Sequence, residues 1–369
     1  MIAFSKLTII VIAKYLRVSI SFSARCNTQT ATTFLRHSTS PLTASTILEP
    51  RMRHLPPSKY IKTAKYALRD YVAGDYRYPF YCSFKIIQRC DSSCEFCNVW
   101  LKPAPDMPTS KILKIIDNVA DSSVLVLSLE GGEPLMRKDI GEILQYIRTK
   151  PLYVLFTSSG KLFEKRPMKD YCRYIDFLHP SIDEGHDNLD LYESLPEFVS
   201  WGSIVCVQIV VMKEYLPDLE QKIRKCYNAG AKALVMPACL LPGTPDFLPE
   251  VTAFRNEVMR LKRKYPRTIT TTDKYLRALT WLHGCTSASI IIDYDGRLFY
   301  PCRTLMGKTI DLSEQSLMEF LDSKEADQCR ERMRRCEINC HWYQYFATDS
   351  YVSLGNTVSS LTPYLTDFF

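Results

Sequence analysis

The chain has 369 residues, 46% hydrophobic and 24% charged, an ordinary globular composition with room for a large core and an appended module. Its formal charge of +7 is uneven: residues 1–48 hold five basic residues (Lys6, Lys14, Arg17, Arg25, Arg36) and no acidic ones, which leaves 42 basic against 40 acidic across the rest. A nearly neutral body speaks against a general nucleic-acid footprint, and fourteen cysteines in so long a chain speak against a small disulfide-stapled secreted domain.

Residues 1–55 read as a disordered or targeting-like segment. The apolar run 7–13 is broken by Lys14 and Arg17 and is too short for a membrane span. Fifteen of the first 48 residues are Ser or Thr, the style of an organellar transit peptide. The competing readings are a disordered tail and a true start at Met52. No convincing signal-peptidase site is present, so the expected location is cytoplasmic, with organellar import the alternative.

From about residue 80, strands alternate with helices. Phe80–Gln88 is a strand candidate, followed by a helix over Ser110–Val119 with Thr109 or Ser110 as N-cap and an apolar face of Ile112, Ile115, Ile116 and Val119. Further strands are expected at Ser123–Leu129, Leu152–Thr157, Ile175–Ile182, Val205–Met212 and Ala233–Met236. Helices are expected at Asp139–Arg148 and Leu216–Ala229, the latter closed by Gly230. Such alternation implies parallel strands with right-handed crossovers, and the fold class expected is α/β, a partial (β/α)6 barrel, with chemistry at the C-terminal strand ends. After a Pro-rich break at Leu240–Pro249 come helices at Val251–Lys264 and Asp273–His283. A hairpin then spans Ala288–Cys302, turning at Asp295–Gly296, and a charged helical stretch runs to Arg335. The tail beyond about 347 is expected to be flexible.

Cys90-Asp-Ser-Ser-Cys94-Glu-Phe-Cys97 carries the clearest chemistry. Three thiolates within eight residues can ligate three irons of a cubane and leave the fourth iron open to a ligand. A structural zinc knuckle that borrows Cys82 or a distant His is the alternative. Gly131-Gly132-Glu133-Pro134 follows at the second strand end.

These two motifs resemble those of the radical S-adenosylmethionine (SAM) superfamily, in which C-x3-C-x-aromatic-C follows the first barrel strand and GGEP ends the second. Phe96 supplies the aromatic. The resemblance covers roughly residues 80–240 and implies a radical SAM core over 76–250. It implies a [4Fe–4S] cluster on Cys90, Cys94 and Cys97. S-adenosyl-L-methionine would be bound by Gly131, Gly132, Glu133 and Pro134, with Ser159 and with Ser181 and Asp183 near the ribose. Thr157-Ser158-Ser159-Gly160 departs from the family's T-N-G turn by carrying Ser in place of Asn. The implied activity is reductive cleavage of SAM to a 5′-deoxyadenosyl radical that abstracts hydrogen from an unidentified substrate, with a peptide leading. Cofactor and lipid modification remain open, and the catalytic residues are unknown. A low-potential electron donor of flavodoxin or ferredoxin type is the implied partner.

Cys285, Cys302, Cys336 and Cys340 resemble a twitch/SPASM-like module over 280–346, a small C-terminal α+β cysteine-rich unit. The resemblance implies an auxiliary [4Fe–4S] cluster on those four, with Cys329 in reserve. Four thiolates suit structural zinc equally. A zinc-stabilised, non-catalytic binding protein on a degenerate barrel is therefore the rival reading. The remaining cysteines (Cys26, Cys82, Cys172, Cys206, Cys226, Cys239) read as small buried hydrophobes. Arg330, Arg332, Arg334 and Arg335 read as a solvated helix face or a docking patch for an acidic reductase. The aromatic run 341–346 is expected to cover the auxiliary site.

Overall fold

The computed structural model describes residues 53–239, 246–280, 285–286, 288–338, 341–347, 360 and 362–364. The expectations for residues 1–52, including Cys26, for part of the Pro-rich break, for Cys340 and for most of the tail lie outside them. Helix α1 (Pro57–Ala73) comes first, then β1 (Tyr81–Ile87), α2 (Thr109–Ala120), β2 (Val126–Gly131), α3 (Ile140–Arg148), β3 (Tyr153–Ser158) and α4 (Met168–Tyr171). β4 (Phe177–Pro180), α5 (Leu195–Ser200), β5 (Ile204–Val211), α6 (Leu219–Ala229), β6 (Lys232–Pro237), α7 (Val251–Lys264) and α8 (Asp273–Ala278) follow. The C-terminal part adds β7 (Ser289–Ile292), β8 (Arg297–Tyr300), β9 (Lys308–Asp311), α9 (Leu317–Leu321), α10 (Lys324–Arg334) and α11 (Tyr343–Ala347).

The nine strands form one open sheet in the order β6-β5-β4-β3-β2-β1-β7-β8-β9. The first six run parallel in chain order, as the alternation predicts. The hairpin is not a separate layer. Its first strand, β7, pairs parallel with β1, with Phe84 opposite Ile292, and β8 and β9 then continue antiparallel. Strand β9 and helix α1 have no counterpart among the predicted elements.

The two sheet faces differ in chemistry. Ladder register puts Cys82, Phe84, Ile86, Leu127, Leu129, Val154, Phe156 and Leu178 on one face, all fully buried. Against this layer pack the apolar stripes of α2 (Ile112, Ile115, Ile116, Val119) and α3 (Ile140, Ile143, Leu144, Ile147). Cys82 therefore belongs to the core and points away from the opposite face. That opposite, concave face carries Ser83, Lys85, Ser128, Glu130, Thr157 and His179. The hydroxyls of Ser83, Ser128 and Thr157 are buried there without a hydrogen-bond partner.

Helix boundaries shift where side chains find better partners. Thr109 lies inside α2 rather than capping it, because its hydroxyl donates to Asp139 at 2.5 Å; Pro108 occupies the cap position. Pro217 confines residues 213–218 to a 3-10 turn, so α6 begins only at Leu219, and Gly230 closes it as predicted. Helix α8 ends at Ala278, short of the predicted His283.

Helix α1 is tied to the barrel by Lys59, which is 4% exposed and donates to the carbonyls of Ala120 (2.9 Å) and Ser122 (3.2 Å). Burial lowers its pKa from 10.5 to about 8. The folded protein therefore carries the cost of a buried charge below pH 8 and sheds it as pH rises toward 10.5. Relative to Lys59→Met, wild-type stability should rise by about 3 kcal/mol across pH 8–10.5, read from denaturant melts at several pH values. A pH-independent difference would contradict this.

Candidate active site

The cysteine loop leaves β1 at Ile87, and its course is set by the end of β2. Gly132 N–H donates to Ile87 O (2.8 Å) and Glu133 N–H to Arg89 O (2.9 Å), so GGEP lies directly against the backbone entering Cys90. A Cβ on Gly132 would sit 2.0 Å from Arg89 O, and one on Gly131 would sit 2.2 Å from Ile87 O. Only glycine permits this approach.

Arg137, which sequence reasoning missed, brackets the loop. It is 2% exposed and donates to Ile86 O (3.0 Å), at the loop's entry, and to Met107 O (2.9 Å), beyond its exit. Asp139 backs the guanidinium through bonds of 2.9 and 2.6 Å. Burial pushes Asp139 up, but Arg137 and Thr109 hold its carboxylate below the ordinary range. Arg89 and Asp106 close the loop again outside with a bidentate pair (3.0 and 2.6 Å). The signal for Arg137 was its position just after GGEP, but an arginine there reads equally as surface.

Cys90, Cys94 and Cys97 are electrostatic neighbours, with Cys94 acting on both of the others. Burial pushes Cys90 up to about 11 and raises Cys97, while the Ser92 and Val99 amides aimed at these sulfurs oppose the rise. Backbone N–H groups directed at sulfur favour thiolate, so the donor set suits a thiolate-bound cluster. Among the described residues, no three His, Cys, Asp or Glu side chains converge on one point as a single metal ion requires. A cubane distributes its thiolates over separate irons and does not need such convergence.

Glu133 is fully buried. Its carboxylate accepts from Leu135 N (2.9 Å), Ser159 N (2.8 Å) and the hydroxyls of Ser158 and Ser159 (each 3.0 Å). It thus fastens the GGEP loop to the end of β3, and Ser159 is part of that clamp. Burial raises Glu133, against the pull of the Leu135 and Ser159 amides. Pro134 starts the 3-10 turn that leads to Arg137. Ser181 follows β4; its amide donates to Ser158 O (2.8 Å), and its carbonyl accepts from Asn188 (2.7 Å).

Asp183 is also fully buried and fully engaged, by the backbone and ring of His186 (3.0 and 2.8 Å) and by Val210 N (3.0 Å). His186 is a second residue the sequence did not reveal. Burial works against its charge, but Asp183 and the sulfur of Cys94 raise it to about 10. Its ring meets Phe96 edge-on at 5.3 Å, and Phe96 fits only because residue 185 is glycine, where a Cβ would lie 2.2 Å from the ring.

Of the second cysteine group, Cys302 and Cys336 are electrostatic neighbours and Cys285 is buried just before β7. Cys340 is outside the described residues. The Cys302 sulfur accepts the Leu305 N–H at 3.3 Å. Cys329 faces the turn that follows Cys302, with its sulfur 2.9 Å from where a Gly307 Cβ would stand.

The aromatic run links the β6 edge to the concave face: the His341 carbonyl accepts from Tyr275 OH (2.9 Å) and Cys239 (3.5 Å), and the Gln344 carbonyl accepts from Ser289 (3.1 Å). Of the two readings of the arginines, a solvated helix face holds for Arg332, Arg334 and Arg335, which are exposed, and not for Arg330. Arg330 is 2% exposed and bound to Asp75, Asp327 and Tyr300, while Arg334 pairs with Asp75 and Arg335 with Glu331. Asp327 and Glu331, at helical spacing, together with Asp75 offset much of the charge.

Residues 84–246 match the radical SAM superfamily. The chain carries a radical SAM domain. This domain spans β1 through β6 with the cysteine loop and GGEP. Among curated proteins the chain is similar to the PqqA peptide cyclase of Granulibacter bethesdensis, 28% identical over 88 residues, or 23% of this chain and 24% of that one. It is also similar to the antilisterial bacteriocin subtilosin biosynthesis protein AlbA of Bacillus subtilis, 20% identical over 190 residues, 47% of this chain and 42% of that one. The match thus spans well under two thirds of either relative. Among solved structures, Streptococcus suis SuiB bound to S-adenosylmethionine aligns with a TM-score of 0.60 at 16% identity, over 74% of this chain and 73% of that one. The anSMEcpe structure with bound AdoMet aligns at 0.55 and 12% identity, over 76% and 98%. These likenesses establish the fold: a parallel, unclosed α/β sheet with an antiparallel C-terminal extension. No described helix is long and apolar enough to cross a membrane.

Proposed function

We propose that this chain is a radical SAM enzyme that modifies a peptide. The observation that carries the reading is the seating of the Cys90–Cys97 loop on the GGEP backbone at Gly131 and Gly132, which leaves no room for any other residue type. The radical SAM domain supports the chemistry. The peptide class is supported by the relatives: one is named a peptide cyclase, and SuiB is also solved bound to its precursor peptide SuiA.

Cys90, Cys94 and Cys97 would hold a [4Fe–4S] cluster, and the GGEP segment would receive the methionine end of S-adenosyl-L-methionine. When bound, this pair supplies reductive C–S cleavage, giving methionine and a 5′-deoxyadenosyl radical that takes hydrogen from the substrate. Ser159 and Ser181 would flank the cofactor. Asp183 would act through His186, holding its ring toward Cys94. The buried, unpartnered hydroxyls of Ser83, Ser128 and Thr157 line the concave face where a polar ligand would satisfy them. Cys285, Cys302, Cys336 and Cys340 would hold an auxiliary cluster in a module over 280–346, beside a core over 76–250. A flavodoxin- or ferredoxin-type protein would donate the electron. Cys90, Cys94, Cys97, Cys302 and Cys336 are outside any disulfide, which suits a reducing, cytoplasmic setting.

Anaerobic purification, reconstitution with iron and sulfide, reduction, and addition of SAM should yield 5′-deoxyadenosine and methionine. Stoichiometric zinc with no 5′-deoxyadenosine would overturn the reading in favour of a zinc-stabilised binding protein.

A further inference from the structure

Helix α1 is inverted. Its two buried residues, Lys59 and Asp70, are both charged. Lys59 and Lys62 donate to the carbonyls of Ala120, Ser122 and Asp121, and Asp70 accepts from Tyr78 N (3.0 Å), so the polar side of the helix holds it to the protein. Its apolar side faces out. Ile61, Leu68, Tyr71 and Val72 are 46%, 58%, 59% and 77% exposed. At the helical repeat these four fall within one stripe about 100° wide, the width that a surface helix ordinarily turns toward its core.

The stripe also has a sign. Lys65 and Arg69, both exposed, run along one flank of it, and no carboxylate among the described residues pairs with either. The Arg69 guanidinium lies over the Tyr78 ring at 4.9 Å. Asp70 is the only acidic residue of α1, and it faces the protein. The chain leading into the helix has the same sign: residues 1–52 hold six basic residues and one acidic, Glu49. Whatever covers this stripe must bring apolar surface and negative charge together. A second copy of α1, or residues 1–52, would bring apolar surface and more positive charge.

We propose that α1 lies flat on an anionic phospholipid surface. Ile61, Leu68, Tyr71 and Val72 enter the boundary between headgroups and acyl chains, and Lys65 and Arg69 meet the lipid phosphates. The phosphates supply the negative charge that α1 and the chain before it lack, and the acyl chains take the apolar side chains out of water. Lys59 and Lys62, bonded to carbonyls at the end of α2, fasten the helix to the rest of the protein, so the contact brings the whole chain to the surface without spanning the bilayer. The inference goes beyond the proposed reaction and does not depend on it.

The test sediments the full-length chain with vesicles of phosphatidylcholine alone and of phosphatidylcholine mixed with phosphatidylglycerol. Wild type should bind the anionic vesicles and not the neutral ones, and the binding should weaken as salt is added. The double variant Leu68→Gln/Val72→Gln should bind about tenfold more weakly or worse, and so should Lys65→Gln/Arg69→Gln. All four sites are exposed and glutamine is a good helix former, so melting curves should match wild type. No binding to anionic vesicles, or equal binding to neutral ones, overturns the proposal. Unchanged binding in both double variants also overturns it and assigns the lipid contact to residues 1–52. A dimer in light scattering that Leu68→Gln/Val72→Gln splits, with vesicle binding unchanged, overturns it in favour of a second copy.

Discussion

Cys94→Ala is expected to reduce SAM-dependent 5′-deoxyadenosine formation to the level of the protein without iron, while thermal unfolding changes little. The two outcomes separate because of where Cys94 lies. Its sulfur is the electrostatic neighbour of Cys90, Cys97 and His186 and so stands at the centre of the proposed ligand set. Its backbone supports the loop independently of that sulfur: the Cys94 carbonyl accepts from Cys97 N (3.1 Å) and from the Trp100 indole (3.2 Å), and alanine keeps both bonds. Loss of one sulfur from a small side chain costs on the order of 1 kcal/mol of packing. The measurements are chromatographic assay of 5′-deoxyadenosine, iron per chain, and a melting curve. Wild-type activity from this variant would remove Cys94 from the ligand set.

Arg137→Met is expected to act in the reverse order, on stability first and on iron loading in consequence. The guanidinium serves four acceptor contacts, on Ile86 O, Met107 O and both oxygens of Asp139, at 2–3% exposure. Methionine matches the stem but removes the guanidinium from two carbonyls and leaves the Asp139 carboxylate with the Thr109 hydroxyl as its side-chain donor. Breaking a buried charge pair from one side costs about 3–5 kcal/mol. Because the same contacts clamp both stems of the cysteine loop, iron per chain should fall along with the denaturation midpoint. Arg137→Lys, which keeps the charge but not the fork, should fall between the two. Full iron loading and a wild-type midpoint in the Met variant would show that the loop holds its course without Arg137.

Much of the barrel was legible because its signals are local. β-branched runs and amphipathic stripes such as Ile112, Ile115, Ile116 and Val119 repeat at the periods of strand and helix, and they fell within a few residues of the observed elements. Less legible were the places where distant partners decide. Thr109 left the cap for Asp139, and Pro217 delayed α6. Lys59, in a helix with no clean apolar stripe, is anchored by two carbonyls some sixty residues away. The basic run around Arg330 looked like a patch because Asp75, which neutralises two of its members, lies about 250 residues upstream.

By itself, the sequence determined which residues are the candidates for the chemistry. Three cysteines within eight residues and a GGEP at the next strand end are constraints of spacing, and spacing is a property of the chain. Only the tertiary structure decided how those residues are held and what faces them. That Gly132 lies against the backbone before Cys90, that Arg137 clamps the loop, and that His186 reaches Cys94 depend on elements far apart in the chain meeting at the C-terminal ends of the parallel strands. The join of β7 to β1, which sets Asp293 and Arg303 beside Lys85, is likewise a matter of strand order. Pairing across a sheet depends on which hydrophobic faces are covered together, and no single segment encodes that choice.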